Sequence, residues 1–520
     1  MEFLQNIIPR DYQKNIFNTC KEKNCLVVLP TGLGKTLIAL MLTIHRMTEF
    51  PGEKVLFLAP TRPLAEQHLN SFKKNLPELF ASIEIFTGTI NAEKRKKLWR
   101  TSDIIFSTPQ CISNDLQKNL YSLDDVCLLV EDEAHRCMNN YAYNYVAQRY
   151  KQQSTNQRIL GLTASPGSEL KRIKDICRNL SIEEVELRTR ESPDVKEYLQ
   201  ELTFENIKVE LPPEFIEIKV ILEELYNKYV YELKNRKLLW ETPSKSSILR
   251  LQRKLITTIS RGKKDFNTLL GVSACAQAIR ISHAIGLLET QTISGLNRYL
   301  RDLFKKAAKN KGAARLVSHP NFNLAVLKSD ELLQKNIEHP KVDKLVEIVK
   351  KEEAENEKVK ILIFTQYRET ASLLSKKLNV LDKINSKVFV GQAKKQTFEG
   401  DASGMNQKKQ KEIIEEFRER EINVLCATSI GEEGLDIPEV NLVIFYEPVP
   451  SAIRSIQRAG RTARLMKGKL IMLISQKTRD ETYFYISKRK EKSMHSAIKQ
   501  VKENLLNKTF NPRDIQEKLN

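Results

Sequence analysis

The sequence predicts an α/β protein with two parallel-sheet lobes and an all-helical insert between them. Two series of short, β-branched apolar runs carry this prediction, one between about residues 24 and 205 and one between about 342 and 490. Within each series the runs alternate with amphipathic segments of helical length, which is typical of a parallel sheet covered by helices. The length of 520 residues agrees, because it exceeds what one hydrophobic core usually organises.

The apolar runs are the predicted strands. In the first series they are CLVVLP, KVLFLAP, DIIFST, VCLLVEDE and RILGLTAS, and in the second KILIFTQ, SKVFVG, NVLCATS, LVIFYEP and KLIMLIS. Between the series, strand-like runs almost disappear and apolar residues recur at helical spacing, as at Ile218, Leu222, Leu225 and Tyr229. The expected domains are a first lobe at 1–205, a helical insert at 206–340, a second lobe at 341–490 and a basic tail at 491–520.

The charge balance favours a polyanionic partner. The chain has 85 Lys and Arg against 65 Asp and Glu, a formal net charge of +20 and a pI of about 9.4. A generally solvated, Lys-rich surface is the alternative. The insert concentrates basic residues that form either a phosphate-binding face or a solvated helix face: Lys245, Arg250, Arg253, Lys254, Arg261, Lys263 and Lys264. The tail is either a flexible arm or packs on a lobe.

The cysteines and the chain start exclude several classes of protein. No Cys-x-x-Cys pair occurs, so we expect reduced core thiols and neither a metal nor a redox site at Cys20, Cys25, Cys111, Cys127, Cys137, Cys177, Cys275 and Cys426. The start, MEFLQNIIPRDYQ, does not resemble a secretory signal, and no run of about 18 apolar residues occurs. We expect a cytoplasmic protein, associated with the nucleoid in a prokaryotic cell and without membrane contact.

The segment LPTGLGKT follows a predicted strand and opens a predicted helix, which is the context of a phosphate-binding P-loop. Gly32 and Gly34 allow backbone amides to surround a triphosphate, Lys35 neutralises its charge and the Thr36 hydroxyl is a magnesium ligand. The strict motif would place Gly where this chain has Leu29, but the TGLGKT part is intact. The expected ATP-binding residues here are Leu29, Pro30, Thr31, Gly32, Leu33, Gly34, Lys35 and Thr36.

The segment VEDEAH ends another predicted strand and supplies acidic groups for hydrolysis. We expect Asp132 to hold the magnesium ion and Glu133 to activate the attacking water. Phosphoryl transfer also needs positive charge near the γ-phosphate, and QRAGRTAR supplies it in the second lobe with Gln457, Arg461 and Arg464. The second lobe must therefore close on ATP bound to the first, and this closure is the expected mechanical stroke.

The ordered motifs LPTGLGKT, APTRPLAEQ, STPQ, DEAH, LTASPG, IFTQYRET, ATSIGEEGLDIP and QRAGRTAR resemble a superfamily 2 helicase from end to end. The stretches NYAYNYVAQRYK, HAIGLLETQ and FYEPVPSAIRSIQRAGRTAR resemble, more narrowly, the archaeal Hef helicases, which are related to the Fanconi anaemia M protein. This resemblance covers nearly the whole chain. It implies two RecA-like lobes, ATP with Mg²⁺ and a thumb-like insert that favours branched DNA.

The resemblance also implies roles for residues outside the two phosphate motifs. Arg10 and Gln13 in PRDYQ would recognise adenine, with an ordinary helix-start role as the alternative. Residues that would couple the DEAH site to the nucleic-acid groove are His135, Thr163 and Ser165. Gly434 and Asp436 in EEGLDIP would contact the ribose or the arginines of the second lobe.

Nucleic acid is expected to cross both lobes through backbone contacts that read no base sequence. The expected contact residues are Thr61, Arg62, Thr87, Gly88, Thr108, Gly391, Gln392 and Thr428. Short polar side chains and exposed loop amides suit a motor that steps along any sequence. The alternative is that these residues only build turns.

We therefore expect an ATP-dependent helicase or translocase that remodels forks and Holliday-type junctions in replication-fork repair. The alternatives are an ATPase stimulated by duplex RNA and a nucleic-acid clamp that binds ATP without turnover. Hef proteins usually carry a nuclease domain after the helicase, and this chain ends at Asn520 without that signature. We accordingly expect no DNA cleavage by this chain, and a separate nuclease or a replication clamp as a partner.

Overall fold

The first lobe contains a seven-stranded sheet in which every strand pairing is parallel. The computed structural model describes residues 3–139, 141–262, 265–392, 404–428, 437–451, 454, 456, 458, 460, 462 and 467–512. The strands are β1 (Cys25–Val28), β2 (Lys54–Leu58), β3 (Ile83–Phe86), β4 (Ile104–Ser107), β5 (Val126–Asp132), β6 (Ile159–Thr163) and β7 (Glu184–Leu187). Their spatial order is β3-β4-β2-β5-β6-β1-β7, so β5, β6 and β1 are neighbours and their carboxyl ends meet at one edge.

Helices cover both faces of this sheet. They are α1 (Asp11–Glu22), α2 (Lys35–Glu49), α3 (Arg62–Asn75), α4 (Ala92–Thr101), α5 (Pro109–Gln117), α6 (Ala142–Gln153), α7 (Leu170–Asn179) and α8 (Pro193–Lys196), with a 3-10 turn at Ala134–Arg136. Along β1, Leu26 and Val28 belong to the core on one face, while Cys25 and Val27 belong to the core on the other. Burial on both faces explains why the strands read as continuous apolar runs.

The insert is a helical bundle. Its helices are α9 (Pro213–Asn235), α10 (Lys245–Ser260), α11 (Phe266–Thr290), α12 (Ile293–Ala307), α13 (Lys311–Val317) and α14 (Pro320–Gln334). Ile218, Leu222, Leu225 and Tyr229 of α9 are all buried in its core, as their helical spacing predicts. Helix α11 is rich in small and apolar residues and packs against α9, α10 and α12, which makes it the central helix of the bundle.

The second lobe contains a six-stranded parallel sheet. It comprises β8 (Leu202–Val209), β9 (Ile361–Phe364), β10 (Ser386–Phe389), β11 (Val424–Ala427), β12 (Leu442–Phe445) and β13 (Gly468–Ser475), in the spatial order β10-β11-β9-β12-β13-β8. Within the described residues, the helices that follow the insert include α15 (Pro340–Glu355), α16 (Arg368–Leu378), α17 (Gln407–Glu419) and α18 (Arg479–Leu506). The predicted fold class, two parallel-sheet lobes with a helical insert, is confirmed.

Two connections cross the domain limits expected from the sequence. Strand β8 pairs with β13 from Leu202 opposite Gly468 to Val209 opposite Ser475, so residue 205 lies inside an edge strand of the second sheet. Helix α18 begins beside the second lobe and continues onto the first, where Met494 and Val501 are buried in the core around α7. The segment from residue 491 to residue 512 is therefore packed on the first lobe.

The eight cysteines are free and buried, as predicted. Burial raises the pKa of several of these thiols, including that of Cys127 to about 12, so they are protonated at neutral pH. Among the described residues, none of the helices has the length and apolar character needed to cross a bilayer.

Candidate active site

The P-loop joins β1 to α2 in the way its sequence predicts. Gly32 and Gly34 have φ angles of +87° and +75°, a left-handed conformation that glycine adopts without strain. A Cβ at Gly34 would also collide with the side-chain amide of Gln13. The amide of Leu29 donates to the carbonyl of Thr163 at 3.0 Å, which fixes the start of the loop to β6. The loop therefore presents the N-terminus of α2 as an anion site.

Lys35 lies at the first position of α2 and reaches back over the loop. Its Nζ donates to the carbonyl oxygen of Leu29 at 2.9 Å. A bond to a backbone carbonyl is exchangeable for a phosphate oxygen, because both are acceptors for the same ammonium group. The position suits the predicted role of Lys35 in neutralising a triphosphate.

A histidine that sequence reasoning did not select connects the two expected magnesium ligands. Nδ1 of His68 lies 3.2 Å from the hydroxyl of Thr36, and Nε2 lies 2.9 Å from Oδ2 of Asp132. His68 follows Ala65 by three residues and precedes Phe72 by four, so it lies on the buried face of α3. One feature of the sequence could have indicated His68, namely a polar residue at a core position of the predicted helix that follows PTR. A lone histidine there is more often a core residue than a site residue.

The environment of Asp132 favours its ionised form. Burial alone would raise its pKa, but the ring of His68 and the ammonium group of Lys35 outweigh this effect and lower the pKa of Asp132 below its usual value. An ionised carboxylate beside a hydroxyl fits magnesium, which commonly takes one or two carboxylates and completes its shell with phosphate and water. In the described part of the chain no cluster of three or more acidic, His or Cys side chains forms a self-sufficient metal site. The residues thus fit a magnesium ion that arrives with nucleotide.

Glu133 has an uncommon backbone conformation and lies next to the residues that are expected to couple hydrolysis to nucleic-acid binding. Its φ and ψ angles are 51° and 47°, a left-handed conformation that costs free energy for a residue with a side chain. One of its carboxylate oxygens lies 3.3 Å from Nδ1 of His135, and that nitrogen lies 3.2 Å from the hydroxyl of Thr163. The Thr163 hydroxyl also accepts from the amide of Ser165 at 3.1 Å. The four residues form a continuous chain of contacts.

This chain of contacts continues into the helix that comes from the second lobe. The hydroxyl of Ser165 donates to the sulfur of Met494 in α18 at 2.9 Å, and both residues are buried. One residue before Met494 in α18, the Ser493 hydroxyl donates to the carbonyl of Ser168 at 3.2 Å. The loop after β6 therefore touches both the acidic site and α18. The coupling role of His135, Thr163 and Ser165 stays a prediction, and these contacts are consistent with it.

Two further residues next to the acidic site were not selected from the sequence. Tyr143 donates to the backbone carbonyl of Asp132 at 2.6 Å and so fixes the end of β5. Glu131 is completely buried, and burial raises its pKa to about 8, so it is largely neutral at pH 7. In the sequence, a tyrosine in an amphipathic helix and an acidic residue within an apolar strand are each typical of residues that only support the fold. The contact of Tyr143 with Asp132 forms only when α6 packs against the end of β5.

The residues expected to recognise adenine support the P-loop from behind. Nε2 of Gln13 and the hydroxyl of Tyr12 both donate to the carbonyl of Leu33, at 3.1 and 2.8 Å. Oε1 of Gln13 accepts from the amide of Arg10 at 2.9 Å, and the Arg10 guanidinium group lies over the ring of Tyr198. Gln13 and Arg10 therefore cap α1, the alternative left open by the sequence, and at the same time contact the nucleotide loop. Adenine recognition stays a prediction.

The expected nucleic-acid contacts of the first lobe lie in a row. Thr61, Thr87 and Thr108 follow β2, β3 and β4, which are neighbours in the order β3-β4-β2, so the three residues share one edge of the sheet. The hydroxyl of Thr61 is buried and has no hydrogen-bond partner among the described residues, whereas that of Thr87 is bonded to Thr89 at 2.8 Å. Thr108 is half-buried at the start of α5.

Two more residues complete this row on its exposed side. Gly88 is exposed, with space around it, and Arg62 is exposed and donates to Glu66 at 2.7 Å. Glu66 in turn accepts from Lys411 of the second lobe at 3.0 Å. The row therefore lies next to a contact between the two lobes.

The second lobe repeats this arrangement. Gly391, Gln392 and Thr428 follow β10 and β11, which are adjacent in the second sheet. Arg368 donates to the carbonyl of Gly391 at 3.1 Å, Gln392 is exposed and Thr428 is buried. Nucleic-acid contact by these residues stays a prediction for both lobes.

The two lobes meet at the P-loop. A methyl group at Gly460 would come within 2.7 Å of the Cβ of Thr31, so a segment of the second lobe lies directly against the phosphate loop. The predicted residues Gln457, Arg461, Arg464, Gly434 and Asp436 lie outside the described residues, as do Lys263 and Lys264. The roles predicted for these residues stay predictions.

A solved structure of known family matches this arrangement. The crystal structure of the Hef helicase domain from Pyrococcus furiosus superposes with a TM-score of 0.69 and 43% sequence identity, over 92% of this chain and 98% of that one. The chain belongs to the Hef helicase family. This confirms the resemblance to the Hef helicases found in the sequence.

Three protein-family models match successive parts of the Hef-type chain. "DEAD/DEAH box helicase" matches residues 10–173, "Putative ATP-dependent RNA helicase, helical bundle" matches 214–339, and "Helicase conserved C-terminal domain" matches 340–466. The domain limits at 1–205, 206–340, 341–490 and 491–520 stay predictions.

Full-length relatives have similar sequences. A Methanocaldococcus jannaschii protein named "Putative ATP-dependent RNA helicase" is 38% identical over 94% of this chain and 60% of its own length. The ATP-dependent DNA helicase MPH1 of Debaryomyces hansenii is 32% identical over 90% of this chain and 47% of its own length. The ATP-dependent DNA helicase fml1 of Schizosaccharomyces pombe is 31% identical over 91% of this chain and 57% of its own length. The chain thus spans about half the length of these relatives.

Proposed function

We propose that this Hef-type chain is an ATP-dependent DNA helicase or translocase that remodels forks and Holliday-type junctions during replication-fork repair. One observation carries the proposal. The contacts Glu133–His135–Thr163–Ser165–Met494 connect the predicted hydrolysis site to a helix that comes from the second lobe. A change at the acidic site can therefore alter how the lobes pack, which is what a motor requires. The names of the MPH1 and fml1 relatives support DNA as the substrate.

In this proposal, hydrolysis is carried out by residues from both lobes. Thr36 and Asp132 hold magnesium, which neutralises charge on the triphosphate when it is bound. Lys35 opposes the remaining negative charge, and Glu133 orients the attacking water and accepts its proton. Arg461 and Arg464 oppose the charge that develops in the transition state, with Gln457 beside them. Closure of the second lobe brings these last residues to the site.

The two rows of residues at the sheet edges form the proposed track for a DNA strand. Threonine hydroxyls and glycine amides bind phosphate oxygens without selecting bases. Because one row lies on each lobe, opening and closing of the lobes changes the distance between them. Repeated cycles then move the strand in steps.

The insert supplies the proposed preference for branched DNA. Arg250, Arg253, Lys254 and Arg261 are exposed. Arg253 and Lys254 follow Arg250 by three and four residues, and Arg261 follows Lys254 by seven, so the four lie on one face of α10 and at its end. The buried residues Ile248 and Leu255 lie on the opposite face. The clustering of these charges on one face favours binding to the phosphates of a second DNA arm over the alternative of a solvated helix face.

Further proposals concern the cellular setting. We infer a cytoplasmic, DNA-associated location, and a nuclease or a replication clamp as the partner that acts on the remodelled junction. Co-purification of the tagged chain after nuclease treatment of the lysate would test the partner. Recovery of neither class of protein would contradict it.

Steady-state ATP hydrolysis tests the proposed activity. The rate is measured without nucleic acid, with single-stranded DNA, with forked DNA and with duplex RNA, at one salt concentration because phosphate contacts are salt-dependent. Stronger stimulation by forked DNA than by RNA is expected. Stimulation by duplex RNA alone would overturn the choice of DNA, and no hydrolysis under any condition would favour a clamp.

A further inference from the structure

The end of the insert where α9 ends and α11 begins, called the tip of the insert below, exposes aromatic side chains. Trp240, which follows α9, is 81% exposed, and Phe266, the first residue of α11, is 75% exposed. Leu269, one helical turn after Phe266, is 48% exposed. Aromatic residues of this size are usually at least half-buried, because leaving them in water forfeits a large hydrophobic stabilisation. An exposed group of them indicates a binding surface.

Trp240 and Phe266 belong to the same end of the bundle. Arg236, at the end of α9, donates to the side chain of Asn267 at 3.2 Å, which joins the segment before Trp240 to the residue after Phe266. Leu238 packs so closely on Gly271 that a Cβ there would collide with it. The chain that carries Trp240 is therefore held against the first turns of α11.

The charge around these aromatic groups is strongly positive. Residues 236–265 contain nine Lys or Arg and two acidic residues, Glu241 and Asp265. Glu241 lies 3.5 Å from Arg250, and Asp265 caps α11 by accepting from the amide of Thr268. No carboxylate among the described residues pairs with Arg253, Lys254 or Arg261. The surface therefore suits a polyanion that also presents flat apolar faces.

Single-stranded nucleic acid has this combination of properties. Its bases stack on aromatic side chains, while its phosphates bind Lys and Arg, and the stacking tolerates any base sequence. An intact duplex does not offer its base faces, because they are stacked on each other. Unpaired bases occur where DNA arms separate, and a branch therefore offers what the tip of the insert binds.

We propose that Trp240 and Phe266 form a stacking site for unpaired DNA bases at the branch point, with the basic stripe of α10 holding the adjoining phosphates. This inference rests on the proposed function and adds to it a way of recognising the junction. It places the contact with unpaired bases at Trp240 and Phe266, apart from the ATP cleft and the strand track.

Tryptophan fluorescence tests the site directly. The chain has two tryptophans, and Trp99 is only 4% exposed and stacked on Tyr121, so the exposed indole is that of Trp240. The emission of the full chain and of its W240F variant is recorded during titration with forked DNA and with blunt duplex. The emission of the full chain minus that of W240F reports Trp240. Forked DNA is expected to quench this difference, because a base stacks on Trp240, and blunt duplex is expected to leave it unchanged. Unchanged emission while fluorescence anisotropy reports fork binding would overturn the inference.

Binding constants provide a second measurement. In W240A and F266A, the Kd for forked DNA divided by the Kd for blunt duplex is expected to rise about tenfold. W240F should preserve most of the preference, because an aromatic face remains. Y485A is the matched control, since Tyr485 is 61% exposed on α18, outside the tip. An unchanged ratio in W240A and F266A would contradict the site.

The experiments can refute the stacking site and the ATP-driven motor independently of each other. If forked DNA stimulates ATP hydrolysis while the Trp240 emission does not change, the stacking-site hypothesis is wrong and the motor hypothesis stands. If Trp240 is quenched by the fork while no nucleic acid stimulates hydrolysis, the stacking site is retained and the motor is wrong. Quenching by duplex RNA and by forked DNA to the same extent would contradict recognition through unpaired bases.

Discussion

His68 and Asp132 are hydrogen-bonded across the predicted ATP site, with Nε2 of the ring 2.9 Å from Oδ2 of the carboxylate. The other ring nitrogen contacts the hydroxyl of Thr36, so one histidine connects both expected magnesium ligands. Groups that hold metal ligands in place typically affect metal affinity or activity by about 10- to 100-fold. His68 is therefore a positioning residue in this account.

Replacing His68 with Ala is expected to lower ATP hydrolysis by about 10- to 100-fold and to raise the Mg²⁺ concentration needed for half-maximal rate. The reason is that Thr36 and Asp132 lose the group that connects them. H68Q is the control, since its amide can still donate to Asp132. A normal magnesium dependence in H68A would show that the contact has no role.

Replacing Glu133 with Gln is expected to reduce the hydrolysis rate by at least about 100-fold, while ATP and DNA binding stay nearly normal. The amide keeps the size of the side chain but cannot accept a proton from water. Nucleotide binding and single-turnover hydrolysis are measured on the same preparation. Full activity in E133Q would remove Glu133 from the role of base.

Replacing Arg464 with Ala is expected to reduce turnover by roughly 10³-fold or more if this arginine opposes charge in the transition state. Gly460, four residues earlier, lies against Thr31 of the P-loop, which supports this role. The effect is measured as the maximal rate at saturating ATP and DNA. An unchanged rate would mean that the lobes close in another way.

Replacing Ser165 with Ala removes the contact with Met494 and is expected to reduce DNA unwinding more than ATP hydrolysis. The hydroxyl connects the loop after β6 to α18, and the hydrolysis groups themselves are left in place. The measurement is the number of base pairs separated per ATP consumed. Equal losses in both activities would argue against a coupling role, and S493A provides a control at the neighbouring contact.

The stability of the second lobe is expected to depend on Glu447. Burial raises the pKa of Glu447 to about 7, although Lys341 and Arg458 oppose this effect. The folded state therefore binds a proton that the unfolded state releases above about pH 4.3, so stability falls as pH rises from about 4.3 to 7 and then levels off. The loss is about 4 kcal/mol at most.

Urea unfolding at pH 5 and pH 8 measures this pH effect. E447Q resembles the protonated side chain, and its urea midpoint is expected to change less between the two pH values than that of the unaltered chain. A parallel change in both proteins would assign the pH dependence to other groups.

The sequence predicted the parts of the site that are local. The P-loop and the DEAH segment each lie within a few residues of a buried parallel strand, and strand ends of this kind share one sheet edge. His68 was missed because its role arises only when α3 packs on the sheet and brings the imidazole ring to Asp132 at the end of β5. Its place on the buried helix face also matches an ordinary core residue.

The domain limits depended on longer-range pairing. Strand β8 has a polar, largely exposed sequence, LTFENIKV, because it lies at the edge of the second sheet. It therefore lacks the apolar run by which the other strands were recognised. Helix α18 presents buried residues to two lobes in turn, so no single stripe runs along its length.

Strand separation on a forked DNA is the most direct test of the central claim, that ATP hydrolysis at this site drives remodelling of branched DNA. A donor and an acceptor dye on the two arms report separation in real time for the unaltered chain and for E133Q. ATP-dependent separation is expected for the unaltered chain, and binding without separation for E133Q. Equal separation by both proteins, or none by either despite stimulated hydrolysis, would contradict it.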